Sequence, residues 1–486
     1  MNKNLKVLLV ASECAPVIKS GELGDAVSGI SKELQELGID ARVILPLYKA
    51  IEVKKHNLKP IWREKRLKVK KNTFSVGLWS GILPESSTPI YLVENKKYLG
   101  SGDSYLTKKA IAGLTIKNSG VKTNHKKEIE RYAFFSDVVF TLLKEKLLPF
   151  EPDIVHAHDW QTGSLVAQLA NYKLQVAKQI KKDRKRKKTN GLKGVNVMQA
   201  KSEIMPPKVM FTVHNLADQG MGNGKNYLRE GIENTDLITT SSSTYAQEIQ
   251  SKEHGFGLHA LLRRKQPRGI LHGFNYENLD SFEDKDEHKL KFQEEHNLKQ
   301  GNSHPIFAMV SALHEHKGIQ WVLPVVSYMV EMYDAQFVFS GTGEKHFEEA
   351  LLSLTKRYPQ NIFVQIGSDE KLDGAIYAAS DFILMPSSHE PFGSKQMIAM
   401  SYGSLPIARA TGGLRDSIED GKTGFLFEEK NEKALLKTMQ RALAVFVDEE
   451  SLGRMRELAL EKDFSWEKPI IQYAKLYREL MTRQDA

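Results

Sequence analysis

The chain has 486 residues, of which 41% are hydrophobic and 27% are charged. This is the composition of a globular protein, and the length allows two or more domains with separate cores, which excludes a largely disordered chain. Cys14 is the single cysteine, so an internal disulfide is excluded and a reducing compartment is expected. Glu13 interrupts the first apolar run and no segment approaches the roughly 20 apolar residues of a membrane span, so we expect a cytoplasmic protein without a signal sequence.

The net charge of +9 comes from one segment. Between Lys173 and Lys208 there are 12 Lys and Arg residues against 2 acidic ones, a local excess of +10 that leaves about −1 for the other residues. Its centre, KKDRKRKKTN, has seven basic residues in the eight positions 181–188 and no apolar periodicity, which favours a solvated loop or a frayed helix end. Nucleic acid or an anionic surface is the alternative partner, but no aromatic residues are interleaved, so nucleic-acid binding is not expected of this basic insert, residues 174–208.

Short β-branched runs alternate with longer amphipathic stretches along the chain. The predicted strands are KVLLVAS, ARVILPLY, PIYLVEN, DIVHAHD, VMFTVHN and DLITTSS in the first half, and IFAMVSAL, AQFVFSGTG, IFVQIGS, FILMPSS and LPIARATGG in the second. Strands with helices between them indicate parallel βαβ sheets. The polar stretch SFEDKDEHKLKFQEEHNLKQGNSH separates the two sets. The predicted fold class is therefore α/β, with two doubly wound Rossmann-like domains that meet near residues 285–305.

Ligands of such sheets bind beyond the carboxyl ends of the strands, so the residues that follow each strand are the candidates for chemistry. These residues are Lys19, Gly21 to Asp25, His156, His158, Asp159, His214, Asn215, Lys317, Gly318, Gly341, Gly343, Glu390 and Thr411 to Gly413. Backbone N–H and ammonium groups suit phosphates, while carboxylate and amide groups suit hydroxyls, so the set favours a sugar diphosphate. His156 and His158 share a strand face, but no third ligand is placed nearby, so no metal is expected.

Seven collinear pieces spread over nearly the whole chain resemble the bacterial glycogen and starch synthases. They are VIKSGELGDAVSGISKELQELGIDARVILPLY, ERYAFFS, PDIVHAHDWQTG, FTVHNLADQG, TYAQEI, the long run from SDEKLDGAIYAAS through EPFGSKQ to GKTGFLF, and DFSWE. The resemblance implies the GT-B architecture: an acceptor domain over residues 1–290, a nucleotide-sugar domain over 300–465, and a C-terminal helix over 466–486 that crosses back. It also implies transfer of glucose with retention, with no cofactor, from a nucleotide-glucose, favouring ADP-glucose, to an α-1,4-glucan.

The resemblance also implies roles for individual residues. His158 matches a histidine near the transferred glucose, Lys317 a lysine on the donor phosphates, and Glu390 the acidic residue of the Glu-Pro-Cys-Gly motif that faces the donor. These three are the expected catalytic residues. The expected substrate-binding residues are Lys19, Gly21, Asp25, Asn215, Gly393, Thr411, Gly412 and Gly413.

Several motif positions depart from the family pattern. The phosphate-binding arginine of the Ser-Arg-Leu-x-x-Gln-Lys-Gly motif corresponds to Ala312, a loss that would cost about two to three decades in rate. Glu22 replaces the second glycine of the Lys-x-Gly-Gly-Leu loop; it would have to point into solvent or pair with Lys19 to leave phosphate binding intact. The other departures are Asp218 for tyrosine, His272 for asparagine, Ser368 for an aromatic residue, Ser388 for arginine and Phe392 for cysteine.

Three hypotheses therefore stand. The first is an active glucosyltransferase that extends α-1,4-glucan, because the expected catalytic residues are present. The second is a catalytically impaired relative that binds glucan or a nucleotide-sugar, as Ala312, Glu22 and Ser368 indicate. The third is a GT-B transferase with another donor or acceptor, as Phe392 indicates.

Overall fold

The computed structural model describes residues 5–100, 122–189, 205–222, 224–276, 284–367 and 369–483. Within these ranges the buried apolar side chains form two separate clusters, one in each half of the chain. Each cluster surrounds one sheet, because the strands carry β-branched and aromatic residues that are buried on both faces. Ser368 and the part of the basic insert at residues 190–204 lie outside the described residues.

The first half forms one sheet of nine strands in the described residues. Their spatial order is β11 (Arg268–Gly269), β10 (Leu237–Thr240), β7 (Lys208–Val213), β6 (Ile154–His158), β1 (Lys6–Val10), β2 (Asp40–Pro46), β5 (Pro89–Glu94), β4 (Asn72–Ile82) and β3 (Lys59–Val69). Neighbours pair in parallel from β11 to β5, whereas β4 and β3 extend that edge as an antiparallel hairpin. A short antiparallel pair, β8 (Met221–Gly222) and β9 (Lys225–Asn226), lies outside the sheet.

The second half forms a parallel sheet of six strands in the described residues. Their order is β14 (Ile362–Ile366), β13 (Gln336–Gly341), β12 (Ile306–Val310), β15 (Phe382–Met385), β16 (Leu405–Arg409) and β17 (Phe425–Phe427). The strand order reverses between β12 and β15. The crevice outside the carboxyl ends of the strands at such a reversal is the usual ligand site of a doubly wound sheet.

Helices cover these sheets and connect their strands. In the first half the structure describes α1 (Glu22–Glu36), α2 (Lys122–Lys144), α3 (Asp159–Thr189), α4 (Tyr227–Asn234), α5 (Ser243–Glu248) and α6 (His259–Lys265). In the second half it describes α7 (Lys285–Glu295), a 3₁₀ turn (Glu315–Lys317), α8 (Ile319–Tyr333), α9 (Lys345–Arg357), α10 (Glu370–Ala379), α11 (Lys395–Ser401), α12 (Gly412–Ser417), α13 (Glu432–Phe446), α14 (Glu449–Leu460) and α15 (Glu467–Thr482). No helix in the described ranges has both the length and the hydropathy to cross a bilayer.

The last helix, α15, packs against the first half of the chain. Tyr473 and Tyr477 are fully buried there among the apolar residues of the first cluster. The Tyr477 hydroxyl lies 2.7 Å from His156 Nδ1, and the Tyr473 hydroxyl lies 3.1 Å from His272 Nε2. Helix α15 therefore packs against the first sheet and is linked to it by the two tyrosine hydroxyls.

The backbone of the basic run at 181–188 is helical, as the end of α3. Of the two interpretations of this run, the loop was wrong, whereas a helix end agrees with the position of residues 181–188 in the last turns before Thr189. Lysine and arginine are good helix formers, so a helical backbone is compatible with this charged run.

Candidate functional site

Lys317 and Glu390 meet at the strand-order reversal of the second sheet. Lys317 ends the 3₁₀ turn after β12, and Glu390 lies in the loop after β15. The Lys317 Nζ atom lies 2.5 Å from Glu390 Oε2, and the Ser387 hydroxyl donates to the same oxygen at 2.9 Å. Burial alone would lower the pKa of Lys317 and raise that of Glu390. Their mutual attraction outweighs burial, so the pKa of Lys317 is raised and that of Glu390 is lowered.

A pocket opens beside this pair, and both halves of the chain line it. Its lining residues are Glu22, Met309, Val310, Ser311, Lys317, Leu384, Met385, Ser387, Glu390, Gly393, Ser394 and Lys395. Glu22 comes from the start of α1, whereas the others follow or end strands of the second sheet. The pocket therefore lies between the two sheets, as the GT-B resemblance implies.

Glu22 reaches across the cleft to the second half of the chain. Its Oε1 atom accepts hydrogen bonds from the backbone N–H and the hydroxyl of Ser394, both at 3.1 Å. Glu22 is exposed, but partial desolvation beside the second half of the chain, followed by the nearby Glu390 carboxylate, raises its pKa. Lys19 pairs with Asp25 at 2.8 Å instead. Of the two possibilities raised for Glu22, pairing with Lys19 is wrong; the residue is exposed, and its carboxylate is bound by Ser394, which lies 372 residues away in the sequence.

The glycines of the second half hold the Glu390 loop in place. A Cβ atom on Gly412 would lie 2.0 Å from the Glu390 carbonyl oxygen, and one on Gly413 would lie 1.8 Å from the Phe392 carbonyl oxygen. The Gly413 N–H donates to the Glu390 carbonyl at 3.1 Å, and Gly393 has a φ of +72°. These residues thus allow the two loops to pack backbone against backbone.

A second carboxylate from the first half binds near these glycines. Glu248, at the end of α5, accepts hydrogen bonds from the Thr411 hydroxyl at 2.9 Å and from the Gly412 N–H at 3.2 Å. The groups expected to approach the nucleotide-sugar are therefore engaged by the protein itself in this conformation. Asp416 accepts a hydrogen bond from the Thr244 N–H at 2.9 Å, which adds a further contact across the cleft.

His158 ends β6 and begins a column of buried histidines. Its Nδ1 atom lies 3.0 Å from His214 Nε2, and its Nε2 atom has no hydrogen-bond partner among the described residues. Burial lowers the pKa of His158, and the adjacent histidine side chains lower it further, so the ring is neutral. The unpartnered nitrogen is buried, so no solvent or ligand reaches it in this structure. His156, in contrast, uses both ring nitrogens on Tyr477 and Thr212, which leaves none for a metal.

Two departures from the family motifs lie in contact across the cleft. The rings of His272 and Phe392 have centroids 5.4 Å apart.

Asp218 accepts a hydrogen bond from the Trp160 indole N–H at 2.8 Å. Asn215 is exposed and accepts a hydrogen bond from the Ala217 N–H at 3.0 Å within its own turn.

Comparison with known proteins shows the family to which this sequence belongs. The family described as starch synthase catalytic domain matches residues 6–182 and 195–264, and that described as glycosyl transferases group 1 matches residues 291–459. A glycogen synthase of Geotalea uraniireducens is 33% identical over 528 aligned residues, which cover 99% of this chain and 100% of that protein. This chain belongs to the glycogen and starch synthase family. A glycogen synthase of Clostridium botulinum is 32% identical, with 99% of this chain and 100% of that protein covered.

Solved structures agree with this membership. The catalytic domain of starch synthase IV from Arabidopsis thaliana, bound to ADP and acarbose, is 26% identical with a TM-score of 0.78 and covers 99% of this chain and 100% of its own. A sucrose-phosphate synthase of Thermosynechococcus elongatus, 17% identical with a TM-score of 0.57, shares the fold and covers 98% of this chain and 99% of its own. The predicted family and GT-B fold class are confirmed, and this family member is a hexosyltransferase.

The sequence interpretation missed three polar residues at the cleft between the two sheets. Ser394 and Lys395 directly follow the Glu-Pro-Phe-Gly segment, and a lysine in the first turn of a helix is an electrostatic anomaly that would have flagged the position. Glu248 carries no such signal, because its partner Thr411 lies 163 residues away in sequence.

Proposed function

We propose that this chain transfers glucose from a nucleotide-glucose, with ADP-glucose favoured, to the non-reducing end of an α-1,4-glucan with retention. The observation that carries the proposal is the Lys317–Glu390 pair in a pocket between the two sheets, at the strand-order reversal of the second sheet. The relative from Arabidopsis thaliana, which is bound to ADP and acarbose, supports an adenine nucleotide as the leaving group.

In this proposal the protein supplies position and electrostatic stabilisation. Lys317 would neutralise charge on the departing diphosphate, and Glu390 would fix the position of that ammonium. The His158 side chain is neutral, and its buried Nε2 atom has no hydrogen-bond partner among the described residues; it would hold a glucose hydroxyl once the site opens to admit the donor. The acceptor hydroxyl would attack the anomeric carbon from the face that the diphosphate leaves, and the diphosphate oxygen would take its proton. Closure of the cleft would exclude water and so limit hydrolysis of the donor.

A transfer assay tests this function. Purified protein is incubated with ADP-[¹⁴C]glucose or UDP-[¹⁴C]glucose and glycogen, and labelled polymer is counted for the wild type, Lys317→Ala and Glu390→Ala. We expect incorporation with ADP-glucose that both substitutions reduce by at least a hundredfold, because a lost contact to developing charge costs about two to three decades. No incorporation by the wild type, or incorporation that both variants retain, would contradict the proposal.

A second candidate is a binding protein with impaired catalysis. It is favoured by the two carboxylates, Glu22 and Glu248, that occupy N–H and hydroxyl groups of the donor-facing loops. Glycogen retention without incorporation, from either donor, would identify this alternative. Donor hydrolysis, or transfer only to another acceptor, would instead identify a transferase of different specificity, to which Phe392 beside His272 would be relevant.

A further inference from the structure

Lys395 provides a second ammonium group in the pocket that already holds Lys317. It is the first residue of α11, its side chain is half-buried, and it lines the same pocket as Lys317 and Ser394. Its Nζ atom donates to the Val310 carbonyl oxygen at 2.6 Å. Val310 ends β12, two residues before Ala312, so Lys395 is anchored next to the position at which the family motif has its arginine.

The two ammonium groups differ in whether a carboxylate pairs with them. Glu390 neutralises Lys317 through a contact of 2.5 Å. Lys395 forms no ion pair with any residue in the part of the chain that the structure describes. Its hydrogen bond is to a neutral carbonyl, and the carboxylates of Asp373, Glu390 and Glu22 act on it only from longer range. A cation in a half-buried pocket without a paired anion is costly, and an anionic ligand would remove that cost.

The position of Lys395 in its helix is also unfavourable for a positive charge. The N-terminal end of a helix carries partial positive charge, so a lysine in the first turn is unfavourable for the helix. Burial, followed by the charge of Lys317, lowers the pKa of Lys395. Helix stability therefore gives no reason for a cation here, whereas a phosphate group would.

We infer that the Lys395 ammonium contacts the diphosphate of the sugar donor and takes the place of the arginine that is absent at Ala312. The inference rests on the proposed function, since it assumes a nucleotide diphosphate in this pocket. The alternative role is structural: Lys395 would only satisfy the carbonyl at the end of β12. Glutamine separates the two roles, because its amide can donate to the Val310 carbonyl but carries no charge.

The test measures ADP binding by calorimetry and glucan synthesis from ADP-[¹⁴C]glucose for the full-length wild type, Lys395→Gln and Lys395→Arg. We expect Lys395→Gln to weaken ADP binding about tenfold to a hundredfold, the effect of one lost hydrogen bond between charged groups. Its kcat/KM is expected to fall at least tenfold, while Lys395→Arg stays within about threefold of the wild type. Adenosine, which lacks phosphates, serves as the control ligand and should bind all three proteins equally.

Rescue provides the second arm of the test. Ala312→Arg is introduced into the wild type and into Lys395→Gln. In the Lys395→Gln background, we expect Ala312→Arg to lower the Kd of ADP at least tenfold. In the wild type the decrease should be smaller, because Lys395 and the new arginine would bind the same phosphates. Lys395→Met is a second neutral variant, to be used if Lys395→Gln unfolds at a lower temperature than the wild type.

The outcomes separate the inference from the proposed function. If the wild type transfers glucose and Lys395→Gln binds ADP as tightly as the wild type, the inference is overturned and the function stands. Equal effects of Ala312→Arg in both backgrounds, or equal losses for ADP and adenosine, would also overturn it. If the wild type neither binds ADP nor transfers glucose, the function fails and the inference falls with it.

Discussion

The carboxylate of Glu22 accepts two hydrogen bonds from Ser394, one from the backbone N–H and one from the hydroxyl, each 3.1 Å long. This contact joins the start of α1 to the residue before α11 and places an anion beside Lys317. A phosphate group bound to Lys317 in this pocket would lie near this carboxylate, which lines the same pocket. The protein thus carries its own anion at the place where the proposed donor would bind.

Glu22→Gly should therefore strengthen ADP binding by about tenfold, since it removes one charge-assisted competitor for the Ser394 N–H. The measurement is the Kd of ADP by calorimetry. Glu22→Gln is the matched control: it keeps the size of the side chain but not its charge, so an intermediate Kd is expected. Unchanged or weaker ADP binding by Glu22→Gly would show that Glu22 does not compete with phosphate.

Asp381 joins elements from the beginning and from the end of the second half of the chain. It is 1% exposed, and its carboxylate contacts Lys289 Nζ at 2.8 Å and Arg456 Nη2 at 2.6 Å. The Ile306 N–H, at the start of β12, donates to the same carboxylate at 2.8 Å. Removing one partner of such a buried network leaves uncompensated charges in the interior.

Asp381→Asn should lower the free energy of unfolding by about 3–5 kcal/mol, as measured by urea denaturation. The control is Glu349→Gln, which breaks an exposed ion pair with Lys345 at 3.2 Å. Exposed pairs contribute about 0–1 kcal/mol, so this variant should unfold close to the wild type. Equal effects of the two substitutions would refute a special role for the buried network.

Gly412 tests the packing that holds Glu390. Its φ is +45°, and an added Cβ atom would lie 2.0 Å from the Glu390 carbonyl oxygen. Gly421 has a φ of +73° but no atom within 4 Å of an added Cβ, so alanine there produces only backbone strain. Gly421→Ala should cost about 1–2 kcal/mol of stability without loss of transfer activity.

Gly412→Ala should cost more stability than Gly421→Ala and should also reduce kcat, because the Glu390 loop must move and Lys317 moves with it. Unfolding curves and initial rates of glucan synthesis for both variants provide the comparison. If Gly412→Ala loses stability only to the extent of Gly421→Ala and keeps full activity, the close contact does not position Glu390.

The sequence predicted the parallel strands because their apolar runs are continuous and buried on both faces. It did not predict the hairpin of β3 and β4. In β3 charged residues dominate, and Leu67 and Val69 are its buried residues, so its apolar pattern is too weak to indicate a strand. The match to the family motifs identified Lys317 and Glu390 as candidate site residues. The Glu22–Ser394 contact was beyond prediction, because it depends on how two domains close on each other.

A column of histidines predicts how stability depends on pH. The rings of His156, His158, His214 and His272 lie in a row, with successive centroids 4.2, 5.3 and 5.2 Å apart. Burial lowers the pKa of all four, to about 3 for His156 and His214. Between pH 6.5 and about 3 the unfolded chain therefore binds protons that the folded chain does not. By linkage, this contribution to stability is complete above pH 6.5 and is lost as the pH falls.

His272→Asn, which restores the residue of the family motif, removes one of these histidines. We expect the slope of unfolding free energy against pH, between pH 6 and 4, to decrease by about 1.4 kcal/mol per pH unit, the value for one proton. The buried carboxyls of Glu13 and Asp159, whose pKa values are raised to about 7 and about 8, act in the opposite direction. They are present in both proteins, so the difference in slope isolates His272. Parallel curves from urea denaturation at each pH would mean that His272 is protonated equally in the folded and unfolded chains.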